Sequence, residues 1–193
     1  MPQLPGKKVE TLIILKSEWV KPPQGEGSIN YRTTAYWQAE KLGAGIDTTT
    51  NTDKDYLLFN PYLTYKVNQA PVQLVGGYWT DSAGANFVHS GIWYADKWEK
   101  AVVFLEIREY IAVDGKSRDY LDNFLEIVYP VSKKTAIGFN LCYDRQWSGG
   151  DRNFIQAGPI AYYHISQNLT IFIRPTRETG SVDRVRFGLK FVF

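Results

Sequence analysis

Residues Arg184–Phe193 read RVRFGLKFVF. Val185, Phe187, Leu189, Phe191 and Phe193 share one parity; Arg184, Arg186, Gly188 and Lys190 share the other. Successive side chains on a strand face opposite sides, so one face here is wholly apolar and the other carries three cations. Two architectures accept such a strand. One is the edge of a soluble sandwich, with its cations in water. The other is the closing strand of a barrel whose outside is lipid and whose inside is wet.

Working outward, turn-rich clusters divide the rest of the chain at nearly regular spacing. They leave eleven candidate strands, at roughly 9–21, 28–41, 55–67, 70–80, 85–96, 100–111, 118–130, 134–147, 151–165, 168–177 and 182–193. Helical periodicity is absent. Most of these segments reach ten residues, the length a tilted strand needs to cross a bilayer, whereas strands of water-soluble proteins usually run to about five or six. The period of two recurs. Leu169, Ile171, Ile173 and Pro175 oppose Thr170, Phe172, Arg174 and Thr176; Ile137, Phe139, Leu141 and Tyr143 oppose Gly138, Asn140, Cys142 and Asp144. Leu121, Leu125, Ile127 and Tyr129 oppose Asp122, Phe124, Glu126 and Val128 in the same manner. The polar face mixes Asn, Gly, Thr and Tyr with its charges, unlike a freely solvated surface. Trp19, Trp37, Trp79, Trp98, Tyr129, Tyr143 and Trp147 gather near strand ends, where interfacial girdles sit.

Composition agrees with strands. Thirteen Tyr, ten Phe and six Trp accompany a single Met, and aromatics pack well on a pleated surface. A net charge of +2, with no run of Lys and Arg, gives nucleic acid no electrostatic footprint. One cysteine, Cys142, allows neither an intramolecular disulfide nor a cysteine-based metal cluster. No cofactor or metal is expected. No apolar run is long enough for a transmembrane helix. MPQLPGKKVE lacks the apolar core of a secretory signal, so an exported protein is expected here in mature form or as a fragment.

Connections near 67–70, 97–99, 131–133 and 166–168 are tight; those near 42–54, 80–84, 112–117, 148–151 and 178–181 are longer. Alternating short and long turns are the habit of outer-membrane barrels, with the short turns periplasmic. The expectation is therefore an all-β fold, a single antiparallel up-and-down transmembrane barrel over residues 1–193, with residues 1–8 a candidate for disorder. Bacterial single-chain barrels have even strand numbers. The odd count implies about twelve strands, with two merged somewhere in 9–54, or else ten.

The final strand resembles the C-terminal signature of Gram-negative outer-membrane β-barrel proteins, through Val185, Phe187, Leu189, Phe191 and Phe193. That resemblance implies a location in the bacterial outer membrane, contact with its lipid, and recognition of the last strand by the barrel-assembly machinery.

Function is carried by the inward charges. Arg174, Arg184, Arg186 and Lys190 lie on the polar faces of the last strands, and closure brings Lys16, Arg32 and Lys66 beside them. Glu106, Asp122, Glu126 and Asp144 come from strands about halfway round. The expectation is a basic wall facing an acidic wall across a narrow, porin-like channel for small hydrophilic or anionic solutes, acidic sugars among them. Arg108 among the acids, and Glu10 and Glu18 near the bases, make the segregation imperfect. The competing reading is an interior plugged by salt bridges.

Two other functions compete. His164 and Ser166 in YYHIS share strand parity, as a base and nucleophile would, and resemble the His-x-Ser pair of outer-membrane lipid A deacylases; no orienting carboxylate is identifiable. A soluble barrel holding an apolar ligand also fits the alternation. His89-Ser90 face opposite ways, the glycines at 43–45 and 148–150 lack a phosphate-loop context, and NLT at 168–170 is a sequon only in a eukaryotic secretory setting.

Overall fold

The computed structural model describes residues 9–22, 24, 26–51, 56–68, 70–146, 153–179 and 182–193. They form twelve strands: β1 (Val9–Lys21), β2 (Ser28–Ala39), β3 (Leu42–Asn51), β4 (Tyr56–Lys66), β5 (Val72–Asp81), β6 (Asn86–Trp98), β7 (Ala101–Ala112), β8 (Tyr120–Pro130), β9 (Thr135–Gln146), β10 (Asn153–His164), β11 (Leu169–Glu178) and β12 (Val182–Val192). Each pairs antiparallel with its neighbours in sequence, and β1 pairs with β12 to close the barrel. The fold is an all-β, up-and-down transmembrane barrel of twelve strands. Residues 1–8, Trp147 and the glycines at 148–150 lie outside the described residues.

The strand hidden in the sequence is β3. Residues 42–54 read there as a long loop, and 28–41 as one strand. The structure instead turns at Glu40–Lys41, with Glu40 at φ 45, and runs LGAGIDTTTN back along β2 as a ten-residue strand. Its inward positions include Gly43 and Gly45 because two tyrosine side chains lie against them. A Cβ at Gly43 would meet the Tyr36 hydroxyl, and one at Gly45 the Tyr62 ring. The glycines that look like loop residues are the clearance for an aromatic interior. Restoring β3 also reverses the polarity that an eleven-strand count implies. Residue 9 lies at the same end as Phe193.

Strands of 10 to 13 residues satisfy the crossing length. The parity expected for β8, β9, β11 and β12 is the observed one. Leu15, Leu63, Leu74, Ile137, Phe139, Ile173 and Phe187 stand exposed on the outer face, while Asn60, Asn140, Gln156 and Glu18 are buried inside. A closed barrel with large apolar side chains over its outside and polar ones within suits lipid as its solvent, because every strand edge is paired. Asn123 is an outward polar residue, and its amide donates to the Tyr143 carbonyl at 3.1 Å rather than to solvent.

The turns 40–41, 67–71, 99–100, 131–134 and 165–168 gather at one end with both described termini. β1, β3, β5, β7, β9 and β11 end at the other, at Lys21, Asn51, Asp81, Ala112, Gln146 and Glu178. Outward Trp37, Tyr65, Trp98, Tyr129 and Tyr163 ring the first end; Trp19, Tyr31 and Tyr78 mark the second. Trp79 is a correction. The odd positions of β5 point inward, so Trp79 packs its ring on Phe87, 5.0 Å between centroids, and Tyr78 takes the girdle position.

Candidate functional site: the barrel interior

Register places all eleven charged wall residues read from the sequence on the inner face. Arg32 pairs with Lys16, Arg174 with Arg186, and Lys190 with Ile14 and Thr170; Arg184 faces Val20 and Thr176. Lys66 sits at the end of β4 opposite Gln73. Glu106, Asp122, Glu126 and Asp144 occupy inward positions of β7, β8 and β9, with Asp122 opposite both Arg108 and Asp144. The basic set spans four adjacent strands, β11, β12, β1 and β2, with Lys66 on β4 beyond them. The acidic set lies on the far side of the barrel.

The walls are not simple sheets of one sign. In the half away from the tight turns, Glu18 is wholly buried at the centre of the basic arc. Arg186 Nε donates to Glu18 Oε1 at 2.6 Å, Arg184 Nη1 is 3.7 Å from the same oxygen, and Arg32 Nη2 is 3.6 Å from Oε2. Arg186 Nη2 also donates to Gln156 Oε1 at 3.0 Å, while Arg184 pairs with Glu178 at 2.8 Å. One carboxylate thus fixes three guanidiniums without neutralising them. The sequence showed Glu18 only as an exception to the segregation; it is the organising residue of the basic wall. On the opposite wall Arg108 plays the converse part, held 3.1 Å from Glu106 and lying over the rings of Tyr62 and Trp93.

Nearer the tight turns, a belt of rings runs round the inner wall. Tyr36 stacks on Tyr62, Tyr62 meets Trp93 edge-on, and Trp93, Phe104 and Phe124 follow with centroids 6.0 to 6.3 Å apart. The Tyr36 hydroxyl anchors the start, 2.7 Å from Thr64 Oγ1 and donating to Gln73 Oε1 at 3.1 Å. At the far end the Arg174 guanidinium lies 5.0 Å over the Phe124 ring and donates to Glu126, which also accepts from the Tyr162 hydroxyl at 2.6 Å. Parity predicts that these side chains face inward; it carries no information about which of them touch. On the tight-turn side of the belt, a cavity of about 490 Å³ opens among Lys66, Gln73, Trp93, Ala95 and Phe104.

His164 and Ser166 are not assembled for catalysis. Ser166 lies beyond the end of β10, and its hydroxyl accepts from the backbone N–H groups of Asn168 and Leu169. Ser132 does the same for Lys134 and Thr135 in the β8–β9 turn, so the role is that of a turn former. His164 Nδ1 is 2.8 Å from Thr170 Oγ1 on the neighbouring strand. His89 is buried inside and bonded to Asn60 Oδ1 at 2.8 Å.

No family model matches the chain, and no curated protein matches it by sequence. Its structure is similar to several solved barrels. The KdgM porin in complex with disordered oligogalacturonate superposes with a TM-score of 0.71 at 16% identity, covering 94% of this chain and 99% of that one. The NanC porin gives 0.64 at 11% identity, over 93% and 98%. The outer-membrane protein Omp33 of Acinetobacter baumannii gives 0.56 at 11%, over 95% and 98%. At these identities the likeness is one of fold, and it extends over nearly the whole of each chain.

Proposed function

We propose that this chain is an outer-membrane channel that passes small hydrophilic solutes down their gradients and favours anions. The observation that carries the reading is the cationic arc on the inner wall. Lys16, Arg32, Arg174, Arg184, Arg186 and Lys190 share four adjacent strands with only Glu10, Glu18 and Glu178 as inward carboxylates. Such an arc, set in apolar walls and facing carboxylates across a narrow lumen, concentrates anions and orients dipolar solutes. The similar KdgM structure was solved with an acidic sugar oligomer, which supports acidic sugars as a solute class here. On this reading the outer apolar band contacts outer-membrane lipid, and the assembly machinery reads Val185, Phe187, Leu189, Phe191 and Phe193.

The test is conduction in planar bilayers. Reversal potentials under a salt gradient should report anion preference, strongest at low salt, where the Debye length is about 30 Å. Replacing Arg174 and Arg186 with Glu should move the potential toward cations, and replacing Glu106 and Glu126 with Gln toward anions. A folded protein that inserts and conducts nothing overturns the proposal.

A further inference from the structure

Glu126 and Arg174 belong to strands that do not touch. Glu126 is on β8 and Arg174 on β11, with β9 and β10 between them, yet their side chains meet as an ion pair inside the barrel. Only 14% of either side chain is exposed. Three contacts hold the pair in place: the Tyr162 hydroxyl donates to Glu126 Oε1 at 2.6 Å, Arg174 Nη2 donates to Glu126 Oε2, and the guanidinium rests on Phe124. Arg174 Nε is buried and has no hydrogen-bond partner. The guanidinium therefore meets its carboxylate through one end of the fork and leaves its buried Nε–H without an acceptor.

We infer that Glu126 determines which anions pass this channel, by occupying Arg174 with a carboxylate that a solute must replace. The inference rests on the channel reading and names the chemistry at one buried ion pair inside it. A guanidinium in a dry site holds a partner of matching charge and shape most tightly, and its fork fits a planar group with two oxygens. The occupant already present is a carboxylate. A solute carboxylate that displaces Glu126 offers two oxygens, one for Nη2 and one for the unpartnered Nε–H, whereas chloride is a single acceptor centre that cannot meet two parallel N–H groups head-on. Glu126, once displaced, keeps the Tyr162 hydroxyl as its donor and is not stranded. The pair thus opposes the entry of small spherical anions and admits carboxylates by exchange. In this respect it is a selectivity device, and the belt of rings from Tyr36 to Phe124 holds it rigid from one side.

The experiment is the permeability ratio of acetate to chloride, from bi-ionic potentials of the full chain in planar bilayers. Wild type should give a ratio above that of the two ions' mobilities in water. Glu126→Gln removes the internal competitor; chloride conductance should rise at least two-fold and the ratio should fall to the mobility ratio. Arg174→Lys keeps the charge but not the fork and should lose the same discrimination without the gain in conductance. Tyr162→Phe loosens Glu126 without changing charge and should move the ratio partway, which keeps the test alive if Glu126→Gln does not fold. Heat-modifiable gel mobility reports folding for each variant. Equal ratios in wild type and all folded variants that conduct would overturn the role of Glu126 and leave the channel standing. Folded proteins that all fail to conduct would overturn the channel itself.

Discussion

Phe193, the last residue of the chain, exchanges two backbone hydrogen bonds with Thr11: Phe193 N–H to the Thr11 carbonyl at 2.9 Å, and Thr11 N–H to the Phe193 carbonyl at 3.1 Å. The ring itself is exposed on the outer face, stacked on Phe191 with 6.4 Å between centroids. Terminal residue and barrel closure are therefore the same structural event. The backbone of Phe193 seals the tight-turn end of the seam, while its side chain stays available to whatever surrounds the barrel.

Deleting Phe193 separates those two roles. The β1–β12 ladder retains its pairs from Leu12 with Val192 to Lys21 with Asp183, so refolding into detergent should proceed in near wild-type yield. Insertion in cells should fall, if the exposed ring belongs to the signal read during assembly. Comparing heat-modifiable bands from refolded and cell-derived protein measures both. Equal yields from cells with and without Phe193 would contradict the role of the terminal ring.

Ile171 and Leu189 are register partners on the outer face of β11 and β12, one step from the inward Lys190. Ile171→Arg or Leu189→Arg should cost about 2–4 kcal/mol of stability in bilayers, the cost of a cation at the lipid midplane. Lys190→Ala, pointing the other way, should fold as wild type. Urea titration of protein refolded into vesicles distinguishes them, and the reverse order of tolerance would invert inside and outside.

Gly45 exists for Tyr62. Gly45→Val would drive a side chain into the Tyr62 ring and should destabilise by about 1–3 kcal/mol. Combined with Tyr62→Ala, the same substitution should cost far less than it does alone. A double-mutant cycle with no coupling between the two sites would show that the glycine is there for another reason.

Glu18 is buried among Arg32, Arg184 and Arg186, so Glu18→Gln leaves three guanidiniums without their shared counter-ion. Losing one partner of a buried ion pair costs about 3–5 kcal/mol. Removing Arg186 as well, as Gln, should return part of that. A loss under about 1 kcal/mol, the scale of an exposed pair, would mean that water reaches the cluster freely.

Asp114, in the β7–β8 loop, accepts from the Ser117 hydroxyl and from the backbone N–H groups of Ser117, Lys116 and Asn86. Those donors, the Ser117 hydroxyl foremost, hold its carboxyl well below the usual carboxylate range. A carboxyl whose pKa falls on folding stabilises the loop above its unfolded value of about 3.9, and the contribution is lost as pH drops from there through the folded value. The Ser117 amide signal should therefore hold steady from pH 7 to about 4 and titrate only below. A midpoint at the ordinary value would show that these hydrogen bonds do not persist in solution.

The period of two made the barrel and the inner and outer faces of its strands readable, because face alternation is a local property of extended chain. Strand β3 was not readable as a strand, since Gly43 and Gly45 look like turn residues until Tyr36 and Tyr62 are known to lie on them. Trp79 lies inside for a simpler reason: nearness to a strand end does not decide a face, and the parity of β5 does. The charges of the inner wall were legible one by one. Their partners were not, because Glu126 with Arg174 and Glu18 with Arg186 are separated by 48 and 168 positions. Alternation assigns a side chain to a face, and only closure decides which faces meet.

Every ladder but one joins strands adjacent in sequence; the seam between β1 and β12 joins the two ends of the chain. Eleven pairings can grow as hairpins, at small loop-closure entropy. The twelfth must bring together ends separated by nearly the full contour, which on logarithmic scaling costs on the order of 3 kcal/mol more than a tight hairpin. The slow step of folding should be the meeting of Thr11 with Phe193 rather than the formation of any hairpin. A circular permutant opened at Glu40–Lys41, with a short linker across the present termini, would keep all twelve ladders. Its long closure would move to β2 and β3, where no terminal phenylalanine waits to complete it.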